Sequence, residues 1–144
     1  MARRFPSSLL GRPSFLLGKL HARSLELEAR GLGQLGIDVK QHAVLCVLAG
    51  EGPMTQRELG QRLGIDRTTI VAVVDGLDEK DLVERRRSPT DRRAYQLILT
   101  PSGERAQQRG RLLVDAAERE LLGALDESER RILTELLARA LEGP

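Results

Sequence analysis

The stretch ERRRSPTDRRAYQLILTPSG, residues 84–103, governs how the rest of the chain is read. It opens with three adjacent arginines after Glu84 and turns at Ser88-Pro89-Thr90-Asp91. Two more arginines follow, then the alternating run Tyr95-Gln96-Leu97-Ile98-Leu99, which stops at Thr100-Pro101. Alternation marks a half-buried strand, and Leu82-Val83-Glu84-Arg85 before the polar loop has the same character. The spacing predicts a β-hairpin whose tip lies between Arg87 and Arg93. From Arg85 to Arg93 there are five Arg and one Asp, in a chain whose formal net charge is only +2. A solvated helix face is the ordinary explanation of a charge run, but it accounts poorly for this finger.

Working upstream, Thr55 with Glu58 three residues later is a capping-box pattern that starts a brief helix, which Gly64 ends. Asp66 then caps another, in which Ile70, Val73, Val74 and Leu77 form a one-sided apolar face. Two short helices joined by a tight Gly-containing turn make a helix-turn-helix. Before them a helix is expected over about 38–49, capped by Asp38, carrying Val44, Leu45, Val47 and Leu48, and closed by Gly50. An earlier one follows Pro13, with Phe15, Leu16, Leu17 and Leu20 as its stripe, and runs to about 28–30, where GLGQLG breaks it. Downstream, Pro101 opens a long helix to about Leu125, with Leu112, Leu113, Ala116 and Ala117 on one face. Asp126 with Glu129 caps a last helix bearing Ile132, Leu133, Leu136, Leu137, Ala140 and Leu141. The expected fold is mainly α with a small β-hairpin: a winged helix-turn-helix flanked by N- and C-terminal helices.

Length and composition fit one domain over 1–144. The core must be aliphatic, because there is no Trp, one Tyr and two Phe. Charge is segregated: residues 1–30 carry six Lys/Arg against two acids, whereas 115–142 carry eight acids against four Arg. Cys46 is the lone cysteine, which excludes an intramolecular disulfide and fits a reducing compartment. No apolar run approaches the roughly 20 residues that span a bilayer, and the start MARRFPSSLLGRPS lacks the apolar core of a signal peptide. The chain is expected to be soluble and cytoplasmic, without membrane contact or cofactor.

A helix-turn-helix followed directly by a basic hairpin is the plan of a winged helix. Its second helix enters the major groove, where base edges are distinguishable. The candidates there lie off the apolar face near the helix start: Arg67, Thr68, Thr69, Val71 and Ala72. Each threonine taken alone is more often a surface or capping residue; the hairpin beside them shifts the balance. Arg85, Arg86, Arg87, Arg92 and Arg93, with Asp91 in the turn, are the candidates on the wing, because a polyanion beside them releases counterions.

Residues 54–103, MTQRELGQRLGIDRTTIVAVVDGLDEKDLVERRRSPTDRRAYQLILTPSG, resemble the winged-helix segment of the multiple-antibiotic-resistance regulator (MarR) family. DRRAYQLILTPSG, residues 91–103, is similar to that family's signature, and the layout resembles it from about Pro13 onward. The resemblance implies a homodimeric transcription factor on pseudo-palindromic DNA, usually a repressor. Residues 38–100 would form the DNA-binding portion, and 13–30 with 101–142 the dimerisation portion. Phe15, Leu16, Leu112, Leu113, Ile132, Leu133, Leu136, Leu137 and Leu141 would then line the dimer interface. They are more apolar side chains than a small winged-helix core covers. By the same resemblance Asp91 and Arg93 tie the wing tip and Arg92 reaches the groove, the assignment between the two arginines staying open. Ala72 and Gly76 depart from the basic residues common there, and Asp75, Asp78 and Asp81 add negative charge.

The family also implies release of DNA by a small organic effector, often aromatic or anionic. His21, Arg23, His42 and Cys46 are the pocket candidates, each more often an ordinary surface or packed residue. Cys46 in HAVLCVLAG has the setting of an inert packed thiol, and His42 with Cys46 at i, i+4 shows no full metal-ligand set, so no metal is expected. The competing readings are a redox- or metal-responsive regulator using Cys46 and a winged-helix protein-interaction module. No nucleophile–base pair, phosphate loop or isolated carboxylate pair suggests an enzyme.

Overall fold

The computed structural model describes residues 5–144. Residues 1–4, the first part of the start weighed above as a signal peptide, lie outside the described residues. Contacts divide the chain into two compact units, one spanning residues 28–114 and the other built from the segments before 28 and after 114.

The 28–114 unit holds the helix-turn-helix and the wing. Helix α3 (Val39–Glu51) starts at Asp38, whose side chain accepts from the Gln41 backbone while the Gln41 side chain accepts from the Asp38 backbone. Strand β1 (Met54–Thr55) leads into α4 (Gln56–Leu63), where Thr55 and Glu58 close the expected capping box. Gly64, at φ 61°, supplies the left-handed turn, and Asp66 caps α5 (Arg67–Glu79) by accepting from the Thr69 backbone at 2.9 Å. Strands β2 (Val83–Arg87) and β3 (Tyr95–Leu99) pair antiparallel, Val83 opposite Leu99 and Arg87 opposite Tyr95. β1 adds to the far side of β3, with Met54 opposite Leu97, giving the order β1-β3-β2.

The core is aliphatic as expected. Val44, Leu45, Leu59, Val74 and Leu77 are fully buried, and Val83 and Leu97 join them from the sheet. The predicted apolar face of α5 is the buried one: Ile70, Val73, Val74 and Leu77. The close approach of α6 (Pro101–Leu121) to the sheet depends on Gly103, where a Cβ would collide with the Leu82 carbonyl oxygen.

The other unit contains the short α1 (Ser7–Leu10), the first part of α2 (Pro13–Leu32), the last part of α6 and α7 (Glu127–Glu142). Phe5 meets Phe15 edge to face at 5.6 Å, and Lys19 Nζ lies 5.5 Å from the Phe15 ring. Leu27 and Ala117 are buried, but no residue of α7 is. Asp126 caps α7 with Glu129 as the sequence predicts, and Arg130 Nε donates to the Leu122 and Leu125 carbonyls.

The fold class is the expected one, and its departures are local. α3 passes through Gly50 and ends at Glu51, closed by Gly52 in place of the expected Gly50; at φ 85° and ψ −169° Gly52 takes an extended positive-φ conformation open only to glycine. α2 runs through Gly31 to Leu32 because Leu32 is fully buried in the core and holds the turn in place. α6 stops at Leu121 rather than near Leu125, the chain turning through Gly123. Both α1 and β1 lie in stretches to which the sequence assigned no helix or strand. β2 carries Arg86 and Arg87 beyond the expected strand residues, and the tip begins at Ser88, within the bounds expected for it.

Candidate nucleic-acid interface

Helices α4 and α5 leave Arg67, Thr68, Val71 and Ala72 exposed, opposite the buried side of α5. Thr69 is different: it is half-buried, and its Oγ1 donates to Asp66 Oδ2 at 2.7 Å, so its hydroxyl is engaged in the cap. Hydrogen bonds from the Thr69 hydroxyl and backbone hold the Asp66 carboxyl below its ordinary pKa, leaving a carboxylate at the helix start.

The wing tip is organised around Ser88, which is buried. Its backbone N–H donates to the Ala94 carbonyl at 2.9 Å, and its Oγ accepts from the Thr90 and Asp91 backbones at 3.3 Å. Asp91 Oδ1 accepts from the Arg93 backbone N–H at 2.9 Å, so the expected Asp91–Arg93 tie is made through the main chain, not through the guanidinium.

The five wing arginines separate into two groups. Arg85 pairs with Asp75 and Asp78 on α5. Arg86 Nε donates to Glu84 Oε1 at 2.5 Å. Arg87 Nη1 donates to the Arg92 carbonyl at 3.1 Å and its guanidinium lies 5.7 Å from the Tyr95 ring centroid. Among the described residues the guanidinium groups of Arg92 and Arg93 meet no carboxylate, and both residues are exposed. The sequence set Arg92 and Arg93 apart only by family resemblance, did not distinguish Arg85, Arg86 and Arg87 from one another, and missed Ser88. The signals it had were Ser-Pro at the turn and two acids three apart on α5.

Of the pocket candidates, the structure brings together His42 and Cys46. Cys46 Sγ is 3.5 Å from His42 Nε2, and Gln107 Nε2 reaches Sγ at 3.8 Å. Burial lowers the His42 pKa and raises that of Cys46, so the pair stays a neutral imidazole and a thiol. Such a thiol is a poor nucleophile. His21 is exposed on α2, and Arg23 pairs with Glu26 and Glu120 in the other unit. Among the described residues no three metal-ligating side chains come together. No described helix is long and apolar enough to cross a membrane. A cleft of about 550 Å³ opens beside Gln107, lined by Leu48, Pro53, Arg86, Ile98, Glu104 and Gln108 among others.

Residues 35–94, the helix-turn-helix and most of the wing, match the model of the MarR family. The putative transcriptional regulatory protein for the hcr operon of Thauera aromatica is 36% identical over 72% of this chain. The chain spans 63% of that relative's length. The HTH-type transcriptional regulator MhqR of Bacillus subtilis is 34% identical, with 72% of each chain covered. Among solved structures, a probable transcriptional regulator from Pseudomonas aeruginosa superposes with a TM-score of 0.83 at 32% identity, covering 92% of this chain and 98% of that one. A mutant MarR from E. coli complexed with operator DNA gives a TM-score of 0.81 at 27% identity, covering 95% and 99%. CouR from Rhodococcus jostii, bound to p-coumaroyl-CoA, gives 0.80 at 26%, covering 92% and 93%. These relatives are regulators, not enzymes, as the sequence led us to expect. With its signature hairpin, its helix-turn-helix and relatives alike over most of their length, the chain belongs to the MarR family of transcriptional regulators.

Proposed function

We propose that the chain is a homodimeric repressor that binds a pseudo-palindromic site in double-stranded DNA and leaves it when a small organic effector binds. The observation that carries the DNA reading is the pair of unpartnered, exposed arginines, Arg92 and Arg93, on a wing tip fixed by Ser88 and Asp91. Arg67, Thr68, Val71 and Ala72 on the open face of α5 read the major groove, Val71 offering a methyl surface to thymine. Arg86 and Arg87 add positive charge along the wing, and Thr69 and Asp91 support the geometry. That a structurally similar MarR was solved with operator DNA supports duplex DNA as the partner.

The dimer follows from uncovered apolar surface. Ile132 and Leu136 are each 52% exposed, Leu112 69% and Leu141 89%, and Leu16 and Leu137 are also exposed. A second copy covers them, with Phe15, Leu113 and Leu133 at the margins of the same interface. For the effector, the cleft beside Gln107 combines apolar walls with Arg86, Glu104 and two glutamine amides, which suits a small organic molecule with an apolar body and polar groups at its edge. His42 and Cys46 lie behind Gln107 and shape that wall; His21 and Arg23 are not needed there. Selection of bound sequences from random duplexes tests the reading. The expected product is two inverted half-sites about one helical turn apart; recovery of no enriched sequence contradicts it.

A further inference from the structure

The three adjacent arginines of β2 occupy different environments, and Arg85 stands apart. It pairs across the sheet with Leu97, and Val83 two residues earlier lies on the same face; both are buried. Arg85 thus extends the core-facing side of the strand toward α5 rather than away from it. There its Nη2 lies 2.6 Å from Asp75 Oδ1, while Nη1 bonds Asp78 Oδ2. One guanidinium spans two carboxylates one helical turn apart. Arg87, next on the same face, holds the Arg92 carbonyl at the wing tip. The ion pairs of Arg85 and the Arg87–Arg92 hydrogen bond, joined by the backbone of β2, therefore link α5 to one of the two residues whose guanidinium is free.

We propose that Arg85 is a positioning residue: it clamps the wing to α5 through Asp75 and Asp78, and so fixes the spacing at which helix and wing tip meet neighbouring grooves. The proposal rests on the DNA-binding reading above. Two carboxylates on the helix that enters the groove would only repel phosphate if they had no other task. Drawing Arg85 away to a phosphate would leave both unpaired beside the polyanion, whereas the fork of one guanidinium satisfies both.

Removing the two acids separates the alternatives by sign. The wild-type chain and the variants R85Q, R92Q, D75N/D78N and R85Q/D75N/D78N are titrated against the duplex that the wild type enriches, over a range of salt. Positioning predicts that D75N/D78N weakens binding about tenfold although it removes two negative charges, the scale of two half-exposed ion pairs. R85Q weakens binding with the wild-type salt dependence intact, while R92Q flattens the slope by about one phosphate contact. The triple variant is no weaker than R85Q, because all three side chains serve one contact. Binding by D75N/D78N that is as tight as or tighter than wild type overturns the proposal, as does an R85Q slope flattened like that of R92Q. Should R85Q not fold, D75N/D78N, at exposed positions, decides alone. Wild-type chain that binds no duplex at low salt overturns the DNA reading and this proposal together; wild-type binding with an unharmed D75N/D78N overturns only this one.

Discussion

A Cβ on Gly110 would lie 2.6 Å from His42 Nε2, so α6 is bare where a nearly buried imidazole rests against it. Gly110→Ala is expected to cost about 1–3 kcal/mol by overpacking. Denaturant unfolding measures the loss, and adding His42→Ala should recover much of it; an unmoved midpoint for Gly110→Ala contradicts the packing. Burial also depresses the His42 pKa from its ordinary 6.5. As pH falls, the unfolded chain takes up the proton before the folded one, so this contribution is complete above about 6.5 and declines toward the folded pKa. Replacing His42 by Gln should remove that slope from stability measured between neutral and mildly acid pH. Glu58 and Asp66, lowered by hydrogen bonds from Thr55 and Thr69, lose their contributions only in the more acid range below their ordinary 4.5 and 3.8. The caps at Thr55, Asp66 and Asp126 were legible in the sequence because each joins residues three apart. The His42–Gly110 fit was not, because its partners are distant in the chain.

The wing is an element whose strands could be read from alternation and whose tip could not. Tyr95 to Leu99 announced β3, and the registry with β2 follows once Val83 and Leu97 seek the same core. β1 escaped notice because two residues carry no periodicity, and its pairing with β3 is a tertiary fact. Among the arginines, sequence gives density but not engagement. The resemblance set Arg92 and Arg93 apart, and the structure gives the physical ground: Arg85, Arg86 and Arg87 each have a partner. Arg92→Ala should therefore weaken operator binding tenfold or more, a loss of about 1.4 kcal/mol. A titration showing unchanged affinity would contradict the wing's part in binding. Helix α5 was readable in both of its faces, since Ile70, Val73, Val74 and Leu77 recur at helical spacing and leave Arg67, Thr68, Val71 and Ala72 outside.

For the whole molecule, apolar residues without cover carry the expectation of a twofold assembly. α7 has no buried residue, yet Ile132, Leu136, Leu137 and Leu141 recur along it with the pattern of a packed helix. Leu136→Glu should leave a folded monomer at concentrations where the parent chain is a dimer, read by light scattering, and should weaken binding to a two-half-site duplex at the same time. Dimerisation and DNA binding are then linked through simultaneous engagement of both half-sites. Most directly, the account rests on a charged finger and a short helix gripping duplex DNA. The deciding measurement is the affinity of the wild-type chain for its selected duplex as a function of salt. The account predicts two chains per duplex and a log–log slope of about −0.9 for each phosphate neutralised, several in all. Affinity that is indifferent to salt, or absent at low ionic strength, would contradict it.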